Sequence, residues 1–171
     1  MTYSYSNKNR FNYLELPLIK TLTINILLPF LVWYFYQWPL RYFFELFLLI
    51  FIAFAILEYF PVILLNKNYL KKSKNIKLDY DEFNKEYTFK DNTRELHFKT
   101  KEIVKIDSYM YKPLCEGGPI LLSWYNYFYV KIYTEKDEII VTCLTCSNIL
   151  DILPEEKINK KCIVLNNLIK I

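Results

Sequence analysis

Two apolar stretches near the beginning of the chain decide its fold: LTINILLPFLVWYFYQW from Leu22 to Trp38, and YFFELFLLIFIAFAILEYFPVILL from Tyr42 to Leu65. A helix needs about 20 residues to cross a hydrocarbon core of roughly 30 Å, and the first stretch reaches that length if it begins near Leu18. Between them, residues 37–41 combine a proline, a tryptophan and an arginine, which is typical of a reversal at a membrane surface. The sequence therefore predicts a two-helix transmembrane hairpin over residues 18–66.

A cleaved signal peptide is the competing interpretation of the first stretch. Its apolar run is long, has no small-residue cleavage site, and leads directly into a second apolar run, so we favour a membrane helix.

Basic residues flank the hairpin on both sides, whereas only Arg41 lies in its turn. Lys8, Arg10 and Lys20 come before the hairpin, and Lys67, Lys71, Lys72 and Lys74 follow the hairpin. By the positive-inside rule, we expect a protein of the inner (plasma) membrane with both termini in the cytoplasm. Residues 1–17 are then a cytoplasmic N-terminal segment, and residues 67–74 a basic juxtamembrane linker.

Polar residues within the hairpin are few. Glu45 follows Arg41 by one helical turn, which indicates a local ion pair. Asn25 and Glu58 are expected at similar depths, and we predict a hydrogen bond between Asn25 and a largely protonated Glu58. Contact with a partner subunit, or an ion or proton path, are the alternative roles for this pair. Pro61 has no N–H to donate, so it frees a backbone carbonyl near Leu57 and is expected to bend the helix where it leaves the membrane.

After the lysine-rich segment the apolar period changes to two, which predicts paired antiparallel strands around residues 76–80, 87–89 and 96–98, with a further strand from Ile103 toward Tyr111. A long strand is predicted from Leu122 to Tyr133, with Trp124, Phe128, Val130 and Ile132 on its core face. Its other face carries a tyrosine set, Tyr125, Tyr127, Tyr129 and Tyr133. This set is our candidate partner surface, and a second packing layer is the equal alternative. A strand over residues 139–144 and a helix around residues 149–153 follow.

Composition excludes several classes of function. The chain has a net charge of +4, but its basic excess lies around the hairpin, so residues 75–171 are nearly neutral and we expect no nucleic-acid partner. His97 is the only histidine and is expected to face water, and the two glycines cannot form a nucleotide-binding loop, so we expect no catalytic residue, no metal and no cofactor.

Four cysteines are present, and all lie in the part that we place in the reducing cytoplasm, so no structural disulfide is expected. Cys143 and Cys146 have the CxxC spacing of zinc and redox sites. We favour packing cysteines, with a metal or redox role as alternatives.

Three segments, EIVKID at 102–107, YFYVKIY at 127–133 and IIVTCL at 139–144, resemble bacterial pleckstrin-homology-like (PH-like) domain proteins that carry two N-terminal transmembrane helices. The resemblance implies an α+β membrane protein in which residues 75–171 form a cytoplasmic antiparallel β-sandwich or barrel closed by a C-terminal helix. It also implies a role in assembly at the membrane.

We therefore expect a membrane-anchored, non-enzymatic interaction or scaffolding protein, whose partners are membrane lipids and either another protein or further copies of itself. A lipid-headgroup-sensing module is the first alternative, based on the lysines at 67–74. A transport or ion-path subunit that uses Glu58 is the second.

Overall fold

The computed structural model describes residues 1–37, 39–164 and 168–169. In this part the protein is an α+β structure with two long helices and two four-stranded sheets. The long helices are α1 (Asn7–Tyr36) and α2 (Leu40–Ser73). The short helices are α3 (Lys112–Glu116) and α4 (Ile149–Ile152). The strands are β1 (Thr2–Ser4), β2 (Lys77–Asp81), β3 (Glu86–Lys90), β4 (Glu95–Lys99), β5 (Ile103–Tyr111), β6 (Tyr129–Thr134), β7 (Glu138–Thr142) and β8 (Ile158–Ile163).

The two long helices form the predicted hairpin. Helix α1 ends at Tyr36, Gln37 follows in the left-handed conformation with φ of 48°, and α2 begins at Leu40. Trp38, which the sequence places at the reversal, lies outside the described residues. The buried residues of α1 recur every fourth position and form one narrow face: Pro17, Thr21, Asn25 and Pro29. At Asn25 this face meets α2, because the Asn25 Nδ2 donates to the Tyr59 hydroxyl.

The first sheet has the order β1-β2-β3-β4, and all its pairs are antiparallel. Strand β1 was not predicted. It places the first residues of the chain in the same sheet as β2, because Tyr3 lies opposite Leu78. The helical hairpin is therefore inserted between two neighbouring strands of one sheet.

The second sheet has the order β7-β6-β5-β8, in which β8 runs parallel to β5. The predicted C-terminal helix is reduced to the single turn of α4, because Pro154 follows it and the chain then extends into β8. The helical cover of the core comes instead from the end of α2, whose Leu65 and Tyr69 are buried in the same cluster as Ile132 and Val141. Residues 67–73, predicted as a linker, are thus a packed part of α2.

Two further predictions are wrong. The strand expected from Leu122 begins only at Tyr129. Residues Ser123–Asn126 form a 3₁₀ turn instead, and its first two residues, Ser123 and Trp124, are hydrogen-bonded to α2. The absence of a disulfide is contradicted by a bond between Cys115 and Cys162, whose Cα atoms are 5.7 Å apart. The parallel pairing of β8 with β5 brings Cys162 level with Met110, close to where α3 presents Cys115.

Candidate functional site

The loop between β5 and β6 attaches the sheet domain to both long helices. We call residues 117–128 the docking loop. Three prolines lie within the long helices, and each lacks the N–H that would bind the carbonyl four residues before it. Pro29 lies in the middle of α1, whereas Pro17 and Pro61 lie near the sheet domain and leave the carbonyls of Tyr13 and Leu57 without a donor. The docking loop supplies donors for the carbonyls of Tyr13 and Leu57. The Tyr127 hydroxyl donates to the Tyr13 carbonyl at 2.7 Å. In the same way, the Trp124 indole Nε1 donates to the Leu57 carbonyl at 2.8 Å.

Each of these carbonyls also lies in a π-helical turn, at Phe11–Glu15 in α1 and Ala55–Tyr59 in α2. A π-helical turn leaves an additional carbonyl without its usual partner, and such turns are frequent at functional sites. The sequence indicated the freed Leu57 carbonyl through Pro61. It did not indicate that Trp124 would bind it, because that contact joins residues 67 positions apart.

Glu58 is buried, with 4% of its surface exposed. Its Oε1 accepts the backbone N–H of Ser123 at 2.9 Å, while Oε2 has no hydrogen-bond partner among the described residues. Asn25 is fully buried, and its Nδ2 donates to the Tyr59 hydroxyl at 3.4 Å. Asn25 and Glu58 therefore lie at similar levels of the hairpin. However, the direct hydrogen bond predicted between them is not among those of the described residues.

Tyr127 lies at the junction of the two long helices and the sheets. Its hydroxyl accepts a hydrogen bond from Asn66 Nδ2 of α2 at 3.1 Å and donates to the Tyr13 carbonyl of α1. Its ring meets the rings of Tyr13 and Tyr69 edge to face, with centroids 5.5 and 5.3 Å apart. Burial raises the pKa of Tyr127, so its hydroxyl remains a neutral donor at physiological pH.

The predicted tyrosine set is divided by the structure. Tyr127 and Tyr129 are buried, with 0% and 6% of their surfaces exposed. Tyr129 stacks on Tyr109 with ring centroids 4.7 Å apart. Tyr125 and Tyr133 are half-buried, and Tyr133 lies beside the Lys105 ammonium, 5.6 Å from the ring centroid. The structure thus favours the packing layer for Tyr127 and Tyr129, and leaves Tyr125 and Tyr133 partly accessible.

A family model described as PH domain matches residues 2–150, which is most of the chain. The chain belongs to the PH-domain family. The match begins at β1 and extends across both long helices, so the insertion of the hairpin between β1 and β2 lies within the matched region. No curated protein matches the chain, and no solved structure does. A PH domain is generally a non-catalytic interaction or lipid-binding module.

The basic cluster of this PH-domain protein lies on the last turns of α2. Lys67, Lys71 and Lys74 are exposed at spacings of four and three residues, which places them on one helix face, whereas Lys72 is half-buried. The same face carries the exposed apolar residues Leu64 and Phe60, one and two turns before Lys67. The outer face of α2 therefore changes from apolar to basic between Leu64 and Lys67.

The cysteines of the CxxC spacing, Cys143 and Cys146, are buried and free. Burial raises the pKa of each thiol to about 12, so both are uncharged at neutral pH, and a thiolate is the form that metal and redox chemistry require. His97 is exposed, as predicted, with its Nδ1 2.9 Å from the Thr88 hydroxyl. The described residues contain no group of three or more His, Cys, Asp or Glu side chains placed to hold a metal.

Proposed function

We propose that this PH-domain protein is a membrane-anchored, non-enzymatic interaction protein, whose long helices cross the membrane as a hairpin. The observation that carries the proposal is the exposure of apolar side chains along both helices. The most apolar 18 residues of the two helices have mean hydropathies of 1.7 and 2.6, yet only 22% and 17% of these residues are buried. A core helix of a water-soluble protein would be mostly covered, whereas a lipid-facing helix is exposed in the absence of lipid.

The position of β1 supports two crossings. Since β1 pairs with β2, the segment before α1 and the segment after α2 lie on the same side of the hairpin. A chain that crosses a membrane twice must satisfy this condition. Removal of α1 as a signal sequence would also remove β1, which is a strand of the sheet.

We place both termini and the PH domain in the cytoplasm, at the plasma membrane. The basic residues lie before α1's apolar stretch and after that of α2, whereas the turn between the helices has only Arg41, and basic flanks are retained on the cytoplasmic side. The Cys115–Cys162 bond is typical of an oxidising compartment instead. We base the orientation on the basic residues because they act while the helices insert. The Cys115–Cys162 bond can form only after the helices have inserted and the domain has folded, so it does not direct the insertion.

Reporter fusions in intact cells test this orientation. Alkaline phosphatase fused to the C-terminus is expected to be inactive, because it folds only on the oxidising side of the membrane. A fluorescent protein fused at the same position is the control and should be fluorescent. Phosphatase activity of the fusion would place the domain on the oxidising side and overturn the orientation.

The expected partner of the domain is another protein or a second copy of this chain. Tyr125 and Tyr133 are the members of the tyrosine set that remain partly accessible, and aromatic residues are enriched among the side chains that dominate binding. A photo-crosslinking amino acid at position 133 is therefore expected to give one discrete adduct in cells, and the adduct's mass distinguishes a homo-oligomer from another partner. The same amino acid at the buried position 127 is the control and should give none. Absence of any protein adduct at 125 and 133 would argue against this surface.

Headgroup binding is a second candidate, favoured by the exposed Lys67, Lys71 and Lys74. Each lysine near an anionic membrane surface contributes about 1 kcal/mol. The nearly neutral remainder of the domain offers little for recognition of a specific headgroup, so we rank this candidate second. An ion path through Glu58 has less support, because one carboxylate oxygen is held by the Ser123 amide.

A further inference from the structure

We propose that the tip of the docking loop, Pro119–Leu122, inserts into the membrane interface beside the helical hairpin. This inference rests on the proposed membrane span and deepens it. It commits to the lipid bilayer as the partner of one surface of the PH domain. Four observations carry it: the level of the loop along α2, the exposed side chains of the tip, the absence of charge, and the pairing of the loop's backbone.

The first observation is the level at which the loop is held. Ser123 and Trp124 bind Glu58 and Leu57 of α2. Closer to the domain along the same helix, Phe60, Ile63 and Leu64 are 67%, 52% and 43% exposed. Lipid must cover α2 at least as far as Leu64, which is about 10 Å beyond Leu57 at 1.5 Å per residue. The loop is therefore held at a level of the helix that lipid surrounds.

The second observation is the chemistry of the tip. Ile120 and Leu121 are 43% and 83% exposed, and both lie within three residues of the contact with Glu58. Exposed apolar side chains at this level fit the boundary between headgroups and acyl chains, into which apolar faces of surface-bound segments sink by about 5–10 Å. A loop held at the same distance from the membrane as Lys74 would instead be expected to carry polar side chains.

The third observation is charge. The docking loop, residues 117–128, has no Asp, Glu, Lys or Arg, although charged residues make up 23% of the chain. Lys112 and Glu116 precede the loop and Lys131 follows it. The charges therefore stop where the loop approaches the helices. Trp124 adds an amphipathic ring of the kind enriched at membrane interfaces.

The fourth observation is the pairing of the backbone, which is costly to leave unpaired near lipid. The N–H of Gly118 donates to the Pro113 carbonyl, that of Ser123 to Glu58, and that of Tyr125 to the Leu122 carbonyl. Pro119 has no N–H to satisfy. The donors lie on either side of the tip, and within the tip the paired group is the Leu122 carbonyl, so fewer backbone groups enter the interface unpaired.

The test uses the full-length protein in proteoliposomes of phosphatidylcholine and phosphatidylglycerol. In a Cys115→Ser, Cys162→Ser background that retains the buried Cys143 and Cys146, Leu121→Cys is labelled with the fluorophore NBD, and its quenching by lipids with doxyl groups near the headgroup is measured. Phe60→Cys on the lipid face of α2 is the positive control. Asn75→Cys is the negative control, because it lies beyond Ser73, the last residue of α2, which is about 24 Å from Leu57 along the helix. Incorporation of one label per chain shows that Cys143 and Cys146 remain buried and the domain folded.

Quenching at position 121 is expected to approach that at position 60 and to exceed that at position 75 about threefold. Weak quenching at 121 with strong quenching at 60 overturns the insertion of the loop and leaves the membrane span intact. Weak quenching at both 60 and 121 contradicts the span itself. A protein adduct from a photo-crosslinker at 121 in cells, together with weak lipid quenching, would assign the tip to a protein partner and also overturn the proposal.

Discussion

The double variant Leu48→Arg, Ile52→Arg is expected to be lost from the membrane fraction. Both side chains are exposed, at 57% and 50%, and their spacing of four places them on one face near the middle of the apolar part of α2. An arginine at the centre of a membrane helix costs about 2.5–3.5 kcal/mol for insertion, so two should cost about 5–7 kcal/mol. The measurement is the fraction of protein that remains in the pellet after alkaline carbonate extraction.

Two controls separate insertion from general damage. Leu48→Phe with Ile52→Phe keeps the face apolar and should remain in the pellet. Val104→Arg changes an exposed residue of β5 in the sheet domain, and should also leave membrane residence unchanged. If α2 faced water, the double arginine variant would be folded and at least as soluble as the parent, because exposed substitutions are usually tolerated. That outcome would contradict the membrane span.

Tyr127→Phe is expected to destabilise the protein by about 1–3 kcal/mol. The substitution keeps the ring but removes the hydroxyl, leaving the Tyr13 carbonyl without this donor and Asn66 Nδ2 without this acceptor. Tyr127→Ala also removes a fully buried ring, and is expected to cost about 3–5 kcal/mol. The measurement is the free energy of unfolding of the full-length protein in mild detergent, with near-ultraviolet circular dichroism as the signal.

Tyr133→Phe is the matched control for the loss of a tyrosine hydroxyl. Tyr133 is half-buried on β6, and its change to phenylalanine is expected to stay within about 0.5 kcal/mol. Equal effects of Tyr127→Phe and Tyr133→Phe would show that the bond from Tyr127 to the Tyr13 carbonyl does not hold α1 against the domain. The tyrosine set would then have to be reconsidered as one surface.

Most elements that depend on local periodicity were predictable. The apolar runs predicted the long helices and their reversal near Gln37, and alternation predicted β2, β3 and β4 to within a few residues. The strand prediction failed at residues 123–126, because it extended the alternation of residues 127–133 to a stretch whose order of serine, tryptophan, tyrosine and asparagine does not alternate. Those residues are used to contact α2, and a contact over such a separation has no periodic signature.

The candidate site was less predictable than the fold. Glu58 was identified because a carboxylate in an apolar helix is unusual. Its partner Ser123 was not identified, because any backbone N–H can serve. Cys115 and Cys162 were expected to be free because of the assigned compartment, and the expectation failed because the tail adds a parallel strand that no local pattern distinguishes from a helix.

The amino-acid sequence by itself determined the two apolar helices, their reversal, the change to strand periodicity after Lys74 and the resemblance to PH domains. These properties depend on the order of apolar and polar residues over short distances, because hydrophobic burial selects the helix or strand that places the apolar residues on one face. Only the tertiary structure decided that β1 joins β2, that β8 pairs with β5, and that Trp124 and Tyr127 bind the carbonyls freed by Pro61 and Pro17. Each of those contacts joins residues more than 50 positions apart. Each also pairs a backbone group, and a backbone group accepts any suitable donor or acceptor that the fold brings near, so the order of residues does not specify the partner.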